Sequence, residues 1–455
     1  MQPSKEAVRP GAVLQPKYWL LISFLLCLFV AGFFVGEDSM GGGIRIDLYQ
    51  FHGPTIFALR ERPWASVLAD YSSATTPLFH ILESFNPLMG HDTAFRAANV
   101  VFALVMVFCF IVALLRRFPK EFNLRSAAAL IGASMLLSPY FRAEAYWVTT
   151  DILPIFLLIL TALLIFPAQD LLDASDSIHP FALFGLAILS WSTFYCRQTY
   201  LFVPIYVCIL LLARYRRQRL LTLATFAILA VPAVYLVRLW KGLNPPRFQH
   251  HEQFSQNGIV APFSMIFIYA LPFLVEAALA GRQNISRLRK EFQRYLPWLL
   301  GAWLVFLGIF RNYRFDHLNR GGGIASRILS RFGTPGAFVF LTFGYLGLLV
   351  VAWLFRGSSW RGRLLIVLFM LPAMAMSLFY QRYYDPLLVV LFFLFVERPL
   401  VRPFLKPRMA FLLMGFNVLL LAGALIYNGK DKPIFLPLNS PTHPWDGSPL
   451  EGKVH

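Results

Sequence analysis

Two residues in the stretch "GGGIRIDLYQFHGP" (41–54) could do chemistry together: Asp47 and, five positions later, His52, with aromatic residues between them. A carboxylate takes a proton from a hydroxyl when its pKa lies near the working pH. Asp is equally a favoured N-cap, which would let Asp47 open a helix at Leu48. A second acid, Asp70, begins "DYSSATTPLFH" (70–80), where Thr75, Thr76 and His80 follow. Hydroxyls and a proline-fixed turn suit hydrogen bonding to a sugar ring, and equally suit a plain turn into a helix near Pro77.

Arginines supply the opposite charge. Arg142, Arg197, Arg314, Arg320 and Arg382 all fall at or near the same ends of apolar stretches. A guanidinium there must pair or receive an anion, and its planar fork of donors fits phosphate. The available partners in sequence are Glu144, Asp151, Asp316 and Asp385. The pair His250–His251 with Glu252 is a poor metal site, because adjacent residues do not share a helix face. No phosphate-binding glycine loop, dinucleotide fingerprint or zinc-protease motif occurs. The residues thus imply no metal and no cofactor.

These groups sit on an apolar frame. The chain has 455 residues, 58% hydrophobic and 14% charged, with 45 Phe, whereas soluble domains carry about a quarter charged residues. About thirteen apolar stretches, from 17–36 to 408–427, approach the length that crosses a ~30 Å hydrocarbon core. The stretch 385–397 is short enough to be a half-span. This predicts an all-α polytopic membrane protein with about 11–13 transmembrane helices. The first stretch lacks a small-x-small cleavage site and reads as an uncleaved span. Cys27, Cys109, Cys196 and Cys208 have no metal spacing and read as small core residues.

The net charge of +18 is largely a topology signal. "RRFPKEFNLR" (116–125), "RYRRQR" (214–219), "RQNISRLRK" (282–290), "RGSSWRGR" (356–363) and "ERPLVRPFLKPR" (397–408) fall on one side. That places the N-terminus and these loops in the cytoplasm and argues against a nucleic-acid partner. The long first outer loop, 37–94, and the arginines above lie on the other side. The expected organisation is one membrane domain, 1–427, and a polar outer tail, 428–455.

The order of the outer pieces resembles a known one. The acidic-aromatic-His segment is followed by Asp70 with "TTP" and by "FRAANVVF" (95–102). Then come "YWVTTD" (146–151), "FYCRQTYLFVP" (194–204) and "FYQRYYDPLL" (379–388). Together they resemble the GT-C superfamily of polyprenyl-phosphate-sugar glycosyltransferases. Within it, they are most similar to the dolichyl-phosphate-glucose alpha-1,2-glucosyltransferase family, with this chain as a bacterial-type relative. That family places an acidic pair three to four residues before the His. Here those positions are Leu48 and Tyr49, and the nearest acid is Asp47.

The resemblance implies an inverting transfer, without metal, from a polyprenyl-phosphate sugar to a glycan or lipid-linked acceptor. Asp47 would be the base, with Asp70 second in line. Arg197 or Arg382 would hold the phosphate, and His52, Thr75, Thr76, His80, Arg142, Asp151, Gln198 and Arg320 would line the site. It also implies a bacterial inner-membrane location with the active site facing the periplasm. Two other classes fit some features: a transporter or flippase of a lipid-linked sugar, and an O-antigen ligase or polymerase. The first should carry ionisable residues at span midpoints, where this chain has almost none. The second usually carries its large outer loop late, whereas here it comes first.

Overall fold

The computed structural model describes residues 16–428 apart from 41–42, 90, 119–123, 173–176, 252–254, 281–284, 316–322 and 376–379. The tail expected at 428–455 lies outside the described residues beyond Asn428. Among the described residues the chain is helical throughout, with no β-strand.

Helix α1 (Pro16–Phe34) is followed by five short helical pieces, Gly43–Asp47, Leu48–His52, Gly53–Glu61, Trp64–Ala69 and Leu78–Ser84. Next come α2 (Asp92–Arg117), α3 (Leu124–Ser134), α4 (Pro139–Tyr146), α5 (Ile152–Leu172) and α6 (Pro180–Cys196). They lead into α7 (Phe202–Arg214), α8 (Arg219–Trp240), α9 (Gln256–Ala280), α10 (Ile285–Ile309) and α11 (Gly323–Ser330). The chain then runs through α12 (Gly333–Gly357), α13 (Trp360–Met374), α14 (Leu387–Phe395) and α15 (Pro407–Asn428). Six of these, α1, α2, α8, α9, α12 and α15, are long and apolar enough to cross a membrane, and shorter apolar helices accompany them. The chain is a multi-pass membrane protein.

Several helices turn large apolar side chains outward. Trp19, Leu20 and Phe24 on α1 are exposed, as are Leu220, Ile228 and Val231 on α8. That is the surface expected of helices solvated by lipid rather than water. Cys27 lies on the exposed side of α1, so it is not the core residue its apolar neighbours suggested, whereas Cys196 is buried. The predicted half-span is α14, nine residues long and therefore about 13 Å.

The centre of the bundle is built from short helices. All eight residues of α4 are buried. Its start is set by Pro139 in the first turn and by Ser138, whose hydroxyl oxygen accepts from Phe141 N at 3.2 Å. Arg142 on α4 donates to both carboxylate oxygens of Glu37, at 2.8 and 2.5 Å, and to Leu136 O at 3.1 Å. Both partners are nearly sealed, at 2% and 6% side-chain exposure, so each neutralises the other. Arg142 and Glu144, two positions apart on one helix, do not face each other. The partner of Arg142 is Glu37, which was not among the acids offered by the sequence around the arginines.

Close approach between helices uses glycine. A Cβ added at Gly347 on α12 would overlap the carbonyl oxygen of Phe263 on α9, and one at Gly344 would press Val260 and Ser264. Ser264 Oγ also meets Phe340 O across the same seam at 3.0 Å. Small residues at such contacts let backbones touch where no hydrophobic drive operates between helices. Gly347→Ala should cost about 1–3 kcal/mol by overpacking, measured as loss of thermal or denaturant stability in detergent. Gly301→Ala is the control, because its added Cβ meets nothing within 4 Å.

Candidate active site

The first outer loop folds its short helices onto the loop-side ends of α4, α5, α6 and the segment before α14. Asp47 ends the helix Gly43–Asp47 in helical geometry, with no side-chain capping bond. The N-cap reading of this residue is thus corrected. The next five residues, Leu48–His52, form a π-helix, with Gly53 N–H bonded to Leu48 O five residues back. A π-turn stacks residues five apart, where an α-turn stacks residues three and four apart. The extra residue before His52 is thereby taken up inside the turn, with Asp47 immediately before it and His52 at its end. Sequence periodicity has no signature for a single π-turn.

Asp47 Oδ2 accepts from Arg382 Nη1 at 2.6 Å. Arg382 Nε lies 4.0 Å from Asp151 Oδ2, and the other Asp151 oxygen pairs with Arg197. Asp47, Arg382, Asp151 and Arg197 therefore form one alternating chain of charge. Tyr383 provides its floor, with the Arg197 guanidinium 3.7 Å and the Arg382 guanidinium 5.6 Å from the ring centre. Tyr380 adds a second ring 5.0 Å from Arg382. Exposure falls from 26% at Asp47 to 12% at Arg382 and 6% at both Asp151 and Arg197. The cluster opens to solvent on the Asp47 side.

Two acids that sequence reasoning left out of the site lie beside it. Glu144 is fully buried, and neither of its carboxylate oxygens has a hydrogen-bond partner among the described residues. Burial pushes its pKa well above the ordinary carboxylate range, against the pull of Arg382 and Arg197. Asp385 accepts from Ser138 Oγ at 2.6 Å. Burial raises its pKa to about 6, with Ser138 and Tyr269 opposing. No sequence spacing announces either acid, since α4 reaches the site only through the packing of the bundle.

The other expected site residues divide by what they touch. Asp70 is exposed and paired with Arg247 at 3.2 Å, away from the charged chain. Thr76 Oγ1 donates to Phe194 O at 2.5 Å, and Gln198 Nε2 donates to Ala74 O at 2.7 Å and bonds Asn244. "SATT" is thereby stapled onto "CRQT". Thr75 bonds Ser73 at 3.0 Å. Arg142 is consumed by Glu37, and Arg320 lies outside the described residues. His52 and His80 are buried and joined at 2.9 Å. Burial, then Arg382 and Arg197, lower the His52 pKa to about 3, so that ring is neutral at physiological pH. No group of three metal-ligating side chains occurs among the described residues.

Asp151→Asn strands a buried guanidinium and should cost about 3–5 kcal/mol of stability, read from unfolding in detergent. Glu144→Gln keeps the shape of a buried side chain whose oxygens have no hydrogen-bond partner and should cost under about 1 kcal/mol. Acid adds a further test. The unfolded chain binds a proton at His52 near pH 6.5, while the folded chain resists protonation down to about pH 3. Stability should therefore fall as pH drops through that window, and by less in His52→Gln than in the wild type. Compared with protein-family models, curated proteins and solved structures, the chain finds no match.

Proposed function

We propose that this chain is an integral-membrane inverting glycosyltransferase that moves a sugar from a polyprenyl-phosphate donor to a glycan or lipid-linked acceptor. One observation carries the reading: a half-open carboxylate, Asp47, held 2.6 Å from an arginine that shares the Tyr383 ring with a second arginine. A base and an anion site are then adjacent. By the distribution of basic loops, the site faces away from the cytoplasm, as it would in the periplasm of a bacterial inner membrane.

The acceptor hydroxyl attacks the anomeric carbon while Asp47 takes its proton. The bond from that carbon to the phosphate oxygen breaks, and the electron pair leaves on the polyprenyl phosphate. Arg382 and Arg197 stabilise the growing negative charge from fixed positions. Since Asp47 is the most exposed member of the charged chain, it is the one an incoming phosphate displaces from Arg382. No step calls for a metal.

A lipid donor also needs an apolar bed. A cavity of about 720 Å³ runs along α9 from Tyr269 to Glu276 and Ala280, bounded by Phe273, Phe369 and Phe392. Its upper end adjoins the site through Tyr269, which receives a bond from Gln381 Nε2 at 3.2 Å.

Purified protein given a polyprenyl-phosphate sugar and an acceptor should transfer the sugar with inversion. Asp47→Asn should lower kcat about 100- to 10,000-fold while donor binding survives, and full activity in that variant removes Asp47 as base. Arg382→Ala should weaken binding of the lipid phosphate, measured directly by ligand-dependent thermal shift. Unchanged binding removes Arg382 from the phosphate site.

A further inference from the structure

Behind Asp47 lies a second set of polar groups that the transfer scheme does not use. Tyr71 Oη is 2.5 Å from His80 Nδ1, and His80 Nε2 is 2.9 Å from His52 Nδ1. Tyr71 and His80 are fully buried, and His52 is 6% exposed. The three come from three segments: the loop after Trp64–Ala69, the helix Leu78–Ser84 and the π-turn. Sealing a phenol and two imidazoles from water is costly unless every donor meets an acceptor.

The outer end of this row is immobilised. The Tyr71 ring stacks on Trp240 at 5.7 Å and 21°, and Trp240 Nε1 donates to Leu68 O at 2.8 Å. Phe79 edges both imidazoles, at 6.3 Å from His52 and 5.3 Å from His80.

Donor direction follows from proton counting. A phenol is a stronger hydrogen-bond donor than a neutral imidazole N–H, and a bare imidazole nitrogen is the better acceptor, so across their 2.5 Å contact the Tyr71 proton points at His80 Nδ1. A neutral imidazole carries one N–H, and His80 must then hold its proton on Nε2 and donate it to His52 Nδ1. His52 is left with its single proton on Nε2. Among the described residues nothing bonds that nitrogen, and it is not sealed from solvent. The π-turn that ends in His52 starts directly after Asp47, which is bonded to Arg382, and this connects His52 to the site.

We infer that Tyr71, His80 and His52 form a tautomer lock. It presents His52 Nε2–H as a fixed hydrogen-bond donor to a sugar hydroxyl beside Asp47. The inference rests on the glycosyltransferase reading for the identity of the ligand, but not for the lock itself. A fixed donor discriminates between sugars by whether a hydroxyl stands in the matching position, because a substrate lacking one leaves a buried N–H unpaired. Tyr71 and His80 are positioning residues, since they touch His52 rather than substrate.

Two measurements test this. In protein labelled with 15N at histidine and embedded in bilayers, NMR should report His52, assigned by its loss in His52→Gln, as neutral with the proton on Nε2. Tyr71→Phe should convert it to a mixture of tautomers. A proton found on Nδ1 in the wild type, or no change in Tyr71→Phe, overturns the lock. In the transfer assay, Tyr71→Phe and His80→Leu should raise KM for the sugar substrate about 5- to 10-fold, as loss of one hydrogen bond does, with kcat changed less. His80→Gln should restore KM, because one amide both accepts from Tyr71 and donates to His52. Equal damage in His80→Leu and His80→Gln overturns the directional chain. Absence of transfer in the wild type overturns the glycosyltransferase reading, while the NMR signal still decides the lock.

Discussion

A guanidinium taken out of water must keep a counter-charge, and the site is organised around meeting that demand twice. Arg197 follows α6 and Asp151 precedes α5, so their pairing ties two apolar helices together at one end. Arg382 precedes α14 and Asp47 belongs to the loop between α1 and α2, so their pairing spans 335 residues of sequence. Removing Asp151 takes the carboxylate from buried Arg197, at several kcal/mol, whereas without Asp47 the Arg382 side chain still faces Asp151 at 4.0 Å. The loop therefore docks by electrostatics as much as by packing. The staples from Thr76 to Phe194 O and from Gln198 to Ala74 O hold it in the register that these pairs need.

Much of the frame was legible in the sequence because lipid leaves few choices: long apolar stretches must be helices, with their backbone bonds satisfied internally. The half-span at α14 was visible for the same reason of length. The short helices at the centre were not. The apolar stretch 125–140, about the length of a span, divides among α3, a 3-10 turn and the start of α4. Burial on all sides, rather than contact with lipid, accounts for its apolar composition. The site was legible as a set of charges but not as a set of partners. Arg382 has Asp385 three residues away in sequence, yet pairs with Asp47. Asp385 turns instead to Ser138. Arg142 likewise passes over its neighbour for Glu37. Partner choice depends on tertiary placement, and local spacing carries none of it. The π-turn escaped for a related reason, since it is a one-residue departure inside an otherwise helical run.

Asp47 and His52 do different work with the same backbone device. Asp47 immediately precedes the π-turn and His52 ends it, and their surroundings differ. Asp47 keeps an arginine at 2.6 Å and a quarter of its surface in solvent. His52 lies deeper, against Phe79 and His80, where the neutral ring is favoured. A neutral ring can hold its one proton on either nitrogen. Here the Tyr71 hydroxyl, two rings away, keeps the assignment.

The same reasoning bears on charge balance. Asp47, Asp151, Arg197 and Arg382 sum to zero as two oppositely charged pairs. An anion entering a neutral cluster gains little from long-range attraction. It gains instead from direct hydrogen bonds to guanidinium groups that the protein has already desolvated and aimed. Asp151 cannot be the carboxylate that yields to it, because both its oxygens face arginines in a sealed space. Asp47 can, because solvent reaches it. Once Arg382 turns to the phosphate, Asp47 is left without its 2.6 Å partner, and its oxygen is free to accept a hydrogen bond from the acceptor hydroxyl. In the proposed reaction, the binding of the leaving group would thus itself free the base.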